Sequence, residues 1–204
     1  MTETQDHRSA EVTAERSDAA RNRARLLEAA ALLVAERGAE QVTMREVAEA
    51  AGLGKGTLFR RFGDRDGLLL ALLDDAEAEF QKAYTAGPPP LGPGALPADR
   101  LTAFGCALLG RIANDADLGA ALGRQVPYAR RTGSDSGRAS HRHVSTLLRD
   151  MGLDGDHDIL AHVLLTFAGF EAADYLRRER GVPTTRLQAT WADLIRRLAP
   201  PEGA

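Results

Sequence analysis

The stretch AGLGKGTLFRRFGDRDGLL, residues 51–69, decides how the rest of the chain is read. Glycines at 52, 54 and 56 precede two adjacent arginines, Arg60 and Arg61. A glycine-rich run cradles phosphate when a buried strand leads into it and Gly-Lys-Ser/Thr leads out into a helix. Here Lys55 is followed by Gly56, and an alanine-rich amphipathic segment precedes the run. A dinucleotide fingerprint fails as well, because it needs a strand before the glycines and a second strand beyond them. The glycines are read instead as the corner between two short helices. Gly52 supplies a position that accepts positive φ, and Leu53 anchors the turn in a small core.

Working outward, Thr43-Met-Arg-Glu46 has the spacing of a capping box, in which Thr43 caps a helix and Glu46 reaches back to the cap amide. The pattern predicts a short helix ending near Ala51, with Val47 and Ala48 facing inward. A third helix runs from Gly54 to about Phe62, with Leu58 and Phe62, four apart, on its inner stripe. Lys55, Thr57, Arg60 and Arg61 then fall on its other faces. Residues 52–65 hold four cations (Lys55, Arg60, Arg61, Arg65) against Asp64, a net +3 in a chain of formal charge −3. A Gly-containing turn that presents a basic second helix fits binding to duplex DNA.

The flanking chain reads as helix throughout. Residues 1–17 are a polar arm, expected to be disordered. Ser17 and Asp18 are expected to cap a helix to Arg37, whose Leu26, Leu27, Ala30, Leu33 and Val34 recur at helical spacing, with Gly38 as its stop. A longer helix carries Leu68, Leu69, Leu72, Leu73 and Phe80 over 65–84, and AGPPPLGPGALP (86–97) is a loop. Further helices are expected near 98–113, 117–130, 138–152, 157–180 and 184–198. The expectation is an all-α protein of about nine helices without strands or internal repeats. Its parts are a polar arm (1–17), a helix-turn-helix domain (18–64) and a second helical domain (65–204).

Composition bounds the rest. Cys106 is the only cysteine in 204 residues, which excludes an internal disulfide and fits a reducing compartment. Aromatics make up 5% of the chain, a balance suited to helix packing. No apolar run of about 18 residues is evident, and the polar N-terminus lacks a secretory core, so a soluble cytoplasmic protein without a membrane contact is expected.

With these residues in view, the segment RLLEAAALLVAERGAEQVTMREVAEAAGLGKGTLFRRFGDRDGLL (25–69) resembles the TetR family of bacterial transcriptional regulators. The resemblance rests on Glu36 to Gly38, Thr43, Ala51-Gly52, Gly56 to Phe59, Phe62, Arg65 and Leu68. It implies a homodimer with an N-terminal three-helix DNA-binding domain and a C-terminal helical domain for ligand binding and dimerisation. On this basis Thr43, Arg45, Gly54, Lys55, Thr57, Phe59, Arg60, Arg61 and Arg65 are the expected DNA-binding residues. Thr43 and Arg65 would touch phosphate, while Lys55 and Thr57 would approach phosphates or base edges. Gly54 stands where Ser is common and Phe59 where Tyr is common; Arg60 and Arg61 are expected to offset the lost phosphate contact.

Beyond residue 69 no motif stands out. Phe104, Leu108, Phe167 and Phe170 are read either as ordinary core or as an apolar ligand cavity, with Arg124, Tyr128 and His141 as its polar contacts. Ile159, Val163, Leu187, Trp191, Leu194, Ile195 and Leu198 form stripes on the last two helices. The resemblance implies that these pair with a second copy, although Trp191 is equally compatible with intrachain core. His141 and His143 are two apart and His157 and His162 five apart, spacings that do not align ligands on one helix, so no metal site and no cofactor is expected. No nucleophile is gathered with a base, so no enzyme activity is expected. The resulting expectation is a repressor released from a palindromic double-stranded operator by an unknown small molecule, acting through the helix over 65–84. The alternative is an architectural or cell-division factor that binds DNA without an effector.

Overall fold

The computed structural model describes residues 3–114 and 118–199, with side chains from Ser17 onward. It is all-helical over those residues. The chain divides into two compact units, Met1–Leu72 and Leu73–Ala204. The division falls later than the expected 64/65 boundary, because Leu68, Leu69 and Leu72 are buried residues of the first unit.

The first unit opens with α1 (Glu3–Arg37). Its start corrects two expectations: Ser17 and Asp18 lie inside the helix and do not cap it, and the 1–17 segment is helical from Glu3. The stretch is free of Gly and Pro, and its Ala, Glu, Gln and Arg residues favour a helix. Asp18 pairs with Arg21 one turn on. A 3-10 turn (Ala39–Gln41) follows Gly38, which sits at φ 86°, and leads to α2 (Met44–Ala50). Next come α3 (Lys55–Phe62) and α4 (Arg65–Ala86). Packing of α1 on α2 and of α2 on α3 encloses Leu26, Leu27, Ala30, Val47, Ala48 and Leu58.

The second unit continues through α5 (Pro97–Ala113), α6 (Leu118–Gly123), α7 (Tyr128–Thr132) and α8 (Asp135–Asp150). It ends with α9 (His157–Phe167), α10 (Phe170–Arg178) and α11 (Thr184–Leu198). The 86–97 loop falls as expected, closed by Pro97 in the first turn of α5. Two expected single helices are each broken in two. Pro127 separates α6 from α7, and the chain between α9 and α10 breaks at Ala168–Gly169. A Cβ on Gly169 would lie 2.7 Å from the Leu165 carbonyl oxygen. α8 starts earlier than expected because Ser134 caps it, accepting from the Gly137 amide at 3.0 Å.

Core formation in this unit centres on Trp191, which is fully buried. Its ring lies over Gly105 of α5, where a Cβ would come within 1.9 Å, and its Nε1–H donates to the Leu101 carbonyl at 3.0 Å. By length and hydropathy the stretch His157–Arg178 would reach across a membrane. The break at Ala168–Gly169 and the polar His162, Glu171 and Asp174 interrupt it, and Ala161, Leu164 and Ala173 are buried in the unit's core.

Candidate nucleic-acid interface and ligand cavity

The corner at 51–54 is built from local devices. Thr43 Oγ1 accepts from the Glu46 amide at 3.3 Å, while the Thr43 amide and hydroxyl both donate to Glu46 Oε2, at 3.1 and 2.6 Å. Those donors, the hydroxyl first, hold the Glu46 carboxyl below its ordinary range, with Arg37 and Arg45 assisting. The Thr43 hydroxyl hydrogen is thereby committed to Glu46, and a phosphate contact at Thr43 must displace it. Gly52 takes φ 63°, and Arg25 donates to the adjacent Ala51 carbonyl at 2.6 Å, tying the corner to α1.

Beyond the corner, α3 buries Leu58 completely and half-buries Phe62 and Thr57. Gly54, Lys55, Phe59, Arg60 and Arg61 are exposed, Phe59 at 49%. Thr43 and Arg45 on α2 are also exposed, and Arg45 lies 3.6 Å from Glu49. Arg65 is placed differently from the expectation. Its guanidinium donates to the Val42 carbonyl at 2.9 Å and to the Ala39 carbonyl, clasping the loop that enters α2. It braces the entry to α2 from behind: the Ala39 carbonyl also accepts from the Val42 amide, and Arg65 adds a second donor there and one to the Val42 carbonyl that ends the 3-10 turn.

In the second unit a cavity of about 390 Å³ opens between α4, α5, α7, α8, α9 and α10. Leu73, Leu108, Leu165 and Phe170 give it apolar walls; Glu77, Tyr128, Arg131, Ser136, Arg142, Asp158 and both His141 and His162 give it polar ones. Of the expected ligand residues, Leu108, Tyr128, His141 and Phe170 line it. Phe104 does not, being fully buried against Phe80, Tyr84 and His143. Phe167 stacks on Trp191 with ring centroids 6.4 Å apart, and Arg124 lies 3.6 Å from Asp174. These three face structure because their partners come from distant segments that helical spacing does not report.

Several lining groups are already engaged. Arg131 holds Glu171 through both carboxylate oxygens, at 2.7 and 2.6 Å, and the Gly123 carbonyl at 2.9 Å. Asp74 accepts from the Ser136 amide and hydroxyl at 3.0 and 2.6 Å. Glu77 accepts from Arg111 at 2.7 Å, yet its other oxygen is buried without a hydrogen-bond partner. Behind the wall, burial and the nearby Arg100 push His143 down to about 4, so that its imidazole is neutral between Tyr84 and Phe104. Burial also raises the Cys106 thiol, which keeps it protonated.

The expected dimer stripe splits. Ile159 and Val163 each remain 57% exposed on α9. Leu187, Trp191 and Ile195 are buried inside the chain and Leu194 and Leu198 are half-buried against its core. The inner stripe of α11 is therefore intrachain core, a correction that follows from Gly105 opening a seat for the indole.

Taken together, these features define a helical protein with a helix-turn-helix unit and a separate cavity-bearing unit. The sequence profile of the bacterial regulatory proteins of the TetR family matches residues 26–72, within the first unit, and over that segment the chain is similar to the transcriptional regulators of that family. The HTH-type transcriptional repressor KstR2 of Rhodococcus jostii is 36% identical over 69 residues, covering 32% of this chain and 34% of that protein. An HTH-type transcriptional regulator of Staphylococcus aureus is 43% identical over 53 residues, covering 26% of this chain and 29% of its own length. The chain thus aligns with only about a third of these curated relatives. Over the whole fold it is similar to RolR in complex with resorcinol (TM-score 0.67, 20% identity, 92% of this chain and 91% of that one). It is also similar to FadR from Bacillus subtilis in complex with stearoyl-CoA (TM-score 0.61, 16% identity, 84% and 96%).

Proposed function

We propose that this protein is a sequence-specific DNA-binding transcriptional regulator, acting in the cytoplasm as a homodimer, and a repressor released from a palindromic operator by a small molecule. The observation that carries the DNA reading is α3 itself, with Lys55, Arg60 and Arg61 exposed on a helix whose only buried residue is Leu58. Lys55 and Thr57 meet phosphates or base edges in the major groove, and Arg60 and Arg61 clamp the backbone. In a twofold dimer the two copies of α3 read half-sites about one helical repeat apart. Ile159 and Val163 form the centre of the self-association face, since so exposed an apolar pair on one helix face calls for a cover.

The cavity supports the effector reading over an architectural role. Its volume and its mixture of apolar walls with a few polar groups match a small-molecule site. RolR and FadR, similar in fold, were solved with resorcinol and stearoyl-CoA, respectively. Occupancy acts through α4, whose Leu68 and Leu69 are core residues of the first unit and whose Leu73 and Glu77 line the cavity. Nothing in this scheme calls for turnover, so the protein is a regulator and not an enzyme.

The test is selection of bound fragments from random duplexes, followed by effector screening on the selected site. A palindromic sequence bound by a dimer supports the proposal; retention of random fragments alike would favour the architectural role. For an effector found in this way, its affinity must fall on operator-bound protein by the same factor by which it weakens DNA binding. Equal affinity with and without DNA would remove the release mechanism.

A further inference from the structure

Three side chains of the cavity wall come together in a way that the spacing of histidines in the sequence hides. Asp158 and His162 are one turn apart on α9 and so share a face. His141 reaches them from α8, its ring tilted by 36° against that of His162 with centroids 4.1 Å apart. Its Nε2 lies 3.6 Å from the Asp158 carboxylate and 3.1 Å from the Asp158 main-chain oxygen. One ligand atom from each of the three falls within 4.8 Å of the others.

We propose that His141, Asp158 and His162 form a binding site for a divalent first-row transition cation of the zinc class. Zinc binds imidazole nitrogen and carboxylate oxygen at about 2.0–2.2 Å, which sets neighbouring ligand atoms of a tetrahedron about 3.4 Å apart. The His141–Asp158 separation is already near that value. Asp158 and His162 are exposed, so their side chains are free to close the remaining gap by changing rotamer. The cation replaces the hydrogen that His141 Nε2 shares with the Asp158 main-chain oxygen. Two imidazoles and a single carboxylate are a nitrogen-rich set, which disfavours magnesium and calcium, and with no thiolate it disfavours copper(I). Three protein ligands leave a coordination position open, and all three side chains line the cavity. An oxygen donor on a cavity ligand would find that position.

The assignment stands whether or not a cavity ligand releases DNA, so the test uses DNA-free, full-length protein. Stripped of metal by a chelator and titrated with cobalt(II), the protein is expected to take up one ion per chain, with visible absorption bands of a low-coordinate site that zinc(II) abolishes. Removing an outer-shell partner of a metal costs about 10–100-fold in affinity. H162Q and D158N, which remove ligands, should therefore weaken cobalt binding by more than ~100-fold. His162 and Asp158 are exposed, so both variants should keep the wild-type melting curve of the apo form. H157Q, on the same helix but outside the cluster, should bind as wild type. Absence of uptake at micromolar cobalt or zinc overturns the site, and so does full affinity retained in H162Q.

Discussion

The cations of α3 and the paired arginines of the second unit are used in opposite ways. In the second unit several guanidinium groups pair with carboxylates: Arg111 with Glu77, Arg131 with Glu171, Arg177 and Arg178 with Asp174, and, at the surface, Arg196 and Arg197 with Asp193. In the first, Arg25 and Arg65 bind main-chain carbonyls and Arg37 binds Glu46. Lys55, Arg60 and Arg61 of α3 make no such ion pair among the described residues. A cation bound to a neighbouring carboxylate is spent on the fold; a row of cations left in water is available to a polyanion. Arg149, Arg180 and Arg186 of the second unit are also exposed, but they are scattered, whereas α3 gathers three such cations on one short helix.

The largest test concerns the packing that fixes the second unit. Trp191→Ala removes an indole that sits on Gly105 and donates to the Leu101 carbonyl. The loss should be about 3–5 kcal/mol in denaturant unfolding. Were Trp191 instead a contact between copies, the variant would shift the oligomeric state in sedimentation and leave protomer stability nearly intact, which would restore α11 as an interface helix.

Next, the contrast among arginines can be broken directly. Arg111→Ala leaves the mostly buried Glu77 without its partner and should cost roughly 2–3 kcal/mol, below the ~3–5 of a wholly enclosed pair. It should leave the salt dependence of DNA binding unchanged. Arg61→Ala should do the reverse, with unaltered melting, about tenfold weaker binding to every duplex, and a log-log salt slope reduced by about one. A slope that changes in Arg111→Ala, or holds in Arg61→Ala, would erase the distinction drawn between paired arginines and the cations of α3.

A smaller effect comes from His143, a cationic residue that the second unit stores neutral. The unfolded chain takes up its proton near pH 6.5, the ordinary value for imidazole. The folded chain does so only near 4, because burial and Arg100 oppose the charge. Stability is therefore whole above about pH 6.5 and falls as pH drops toward 4. The loss is roughly 1–2 kcal/mol once the partial exposure of the ring is allowed for. His143→Phe, which keeps an aromatic ring between Tyr84 and Phe104, should flatten this part of the pH profile of urea midpoints. An unchanged profile would assign the acid sensitivity to other groups.

What the sequence made legible follows the range of the interaction. The capping box at Thr43 and Glu46, the positive-φ corner at Gly52 and the inner face at Leu58 are settled within four residues of chain, and each is found where the pattern puts it. The second unit depends on contacts between distant segments. Nothing near Trp191 in sequence announces that Gly105 will seat it, nor does Gly123 announce the Phe170 ring against its backbone. The cluster of His141 with Asp158 and His162 escapes sequence spacing for the same reason, because spacing aligns ligands along one helix and this pairing runs between two. Arg65 shows the reverse failure: a position matched to a phosphate contact spends its guanidinium on Val42 and Ala39. Local patterns locate a recognition helix; they do not say which neighbouring cation braces it.

The finest test of that locality is Gly54, the cap residue of α3, where no side chain accepts from the first turn. Its φ of −70° and ψ of 143° are open to any residue, and a Cβ there would meet nothing within 4 Å. Gly54→Ser therefore adds a hydroxyl without strain, positioned to accept from an amide of the first turn. Glycine is only a few tenths of a kcal/mol poorer than serine as a cap, so the first unit should gain about that much, a rise in melting temperature of roughly 1–3 °C. A fall in melting temperature would mean that the corner needs glycine at 54 as well as at 52, and that the two short helices are set by backbone freedom over the whole run and not by a single turn.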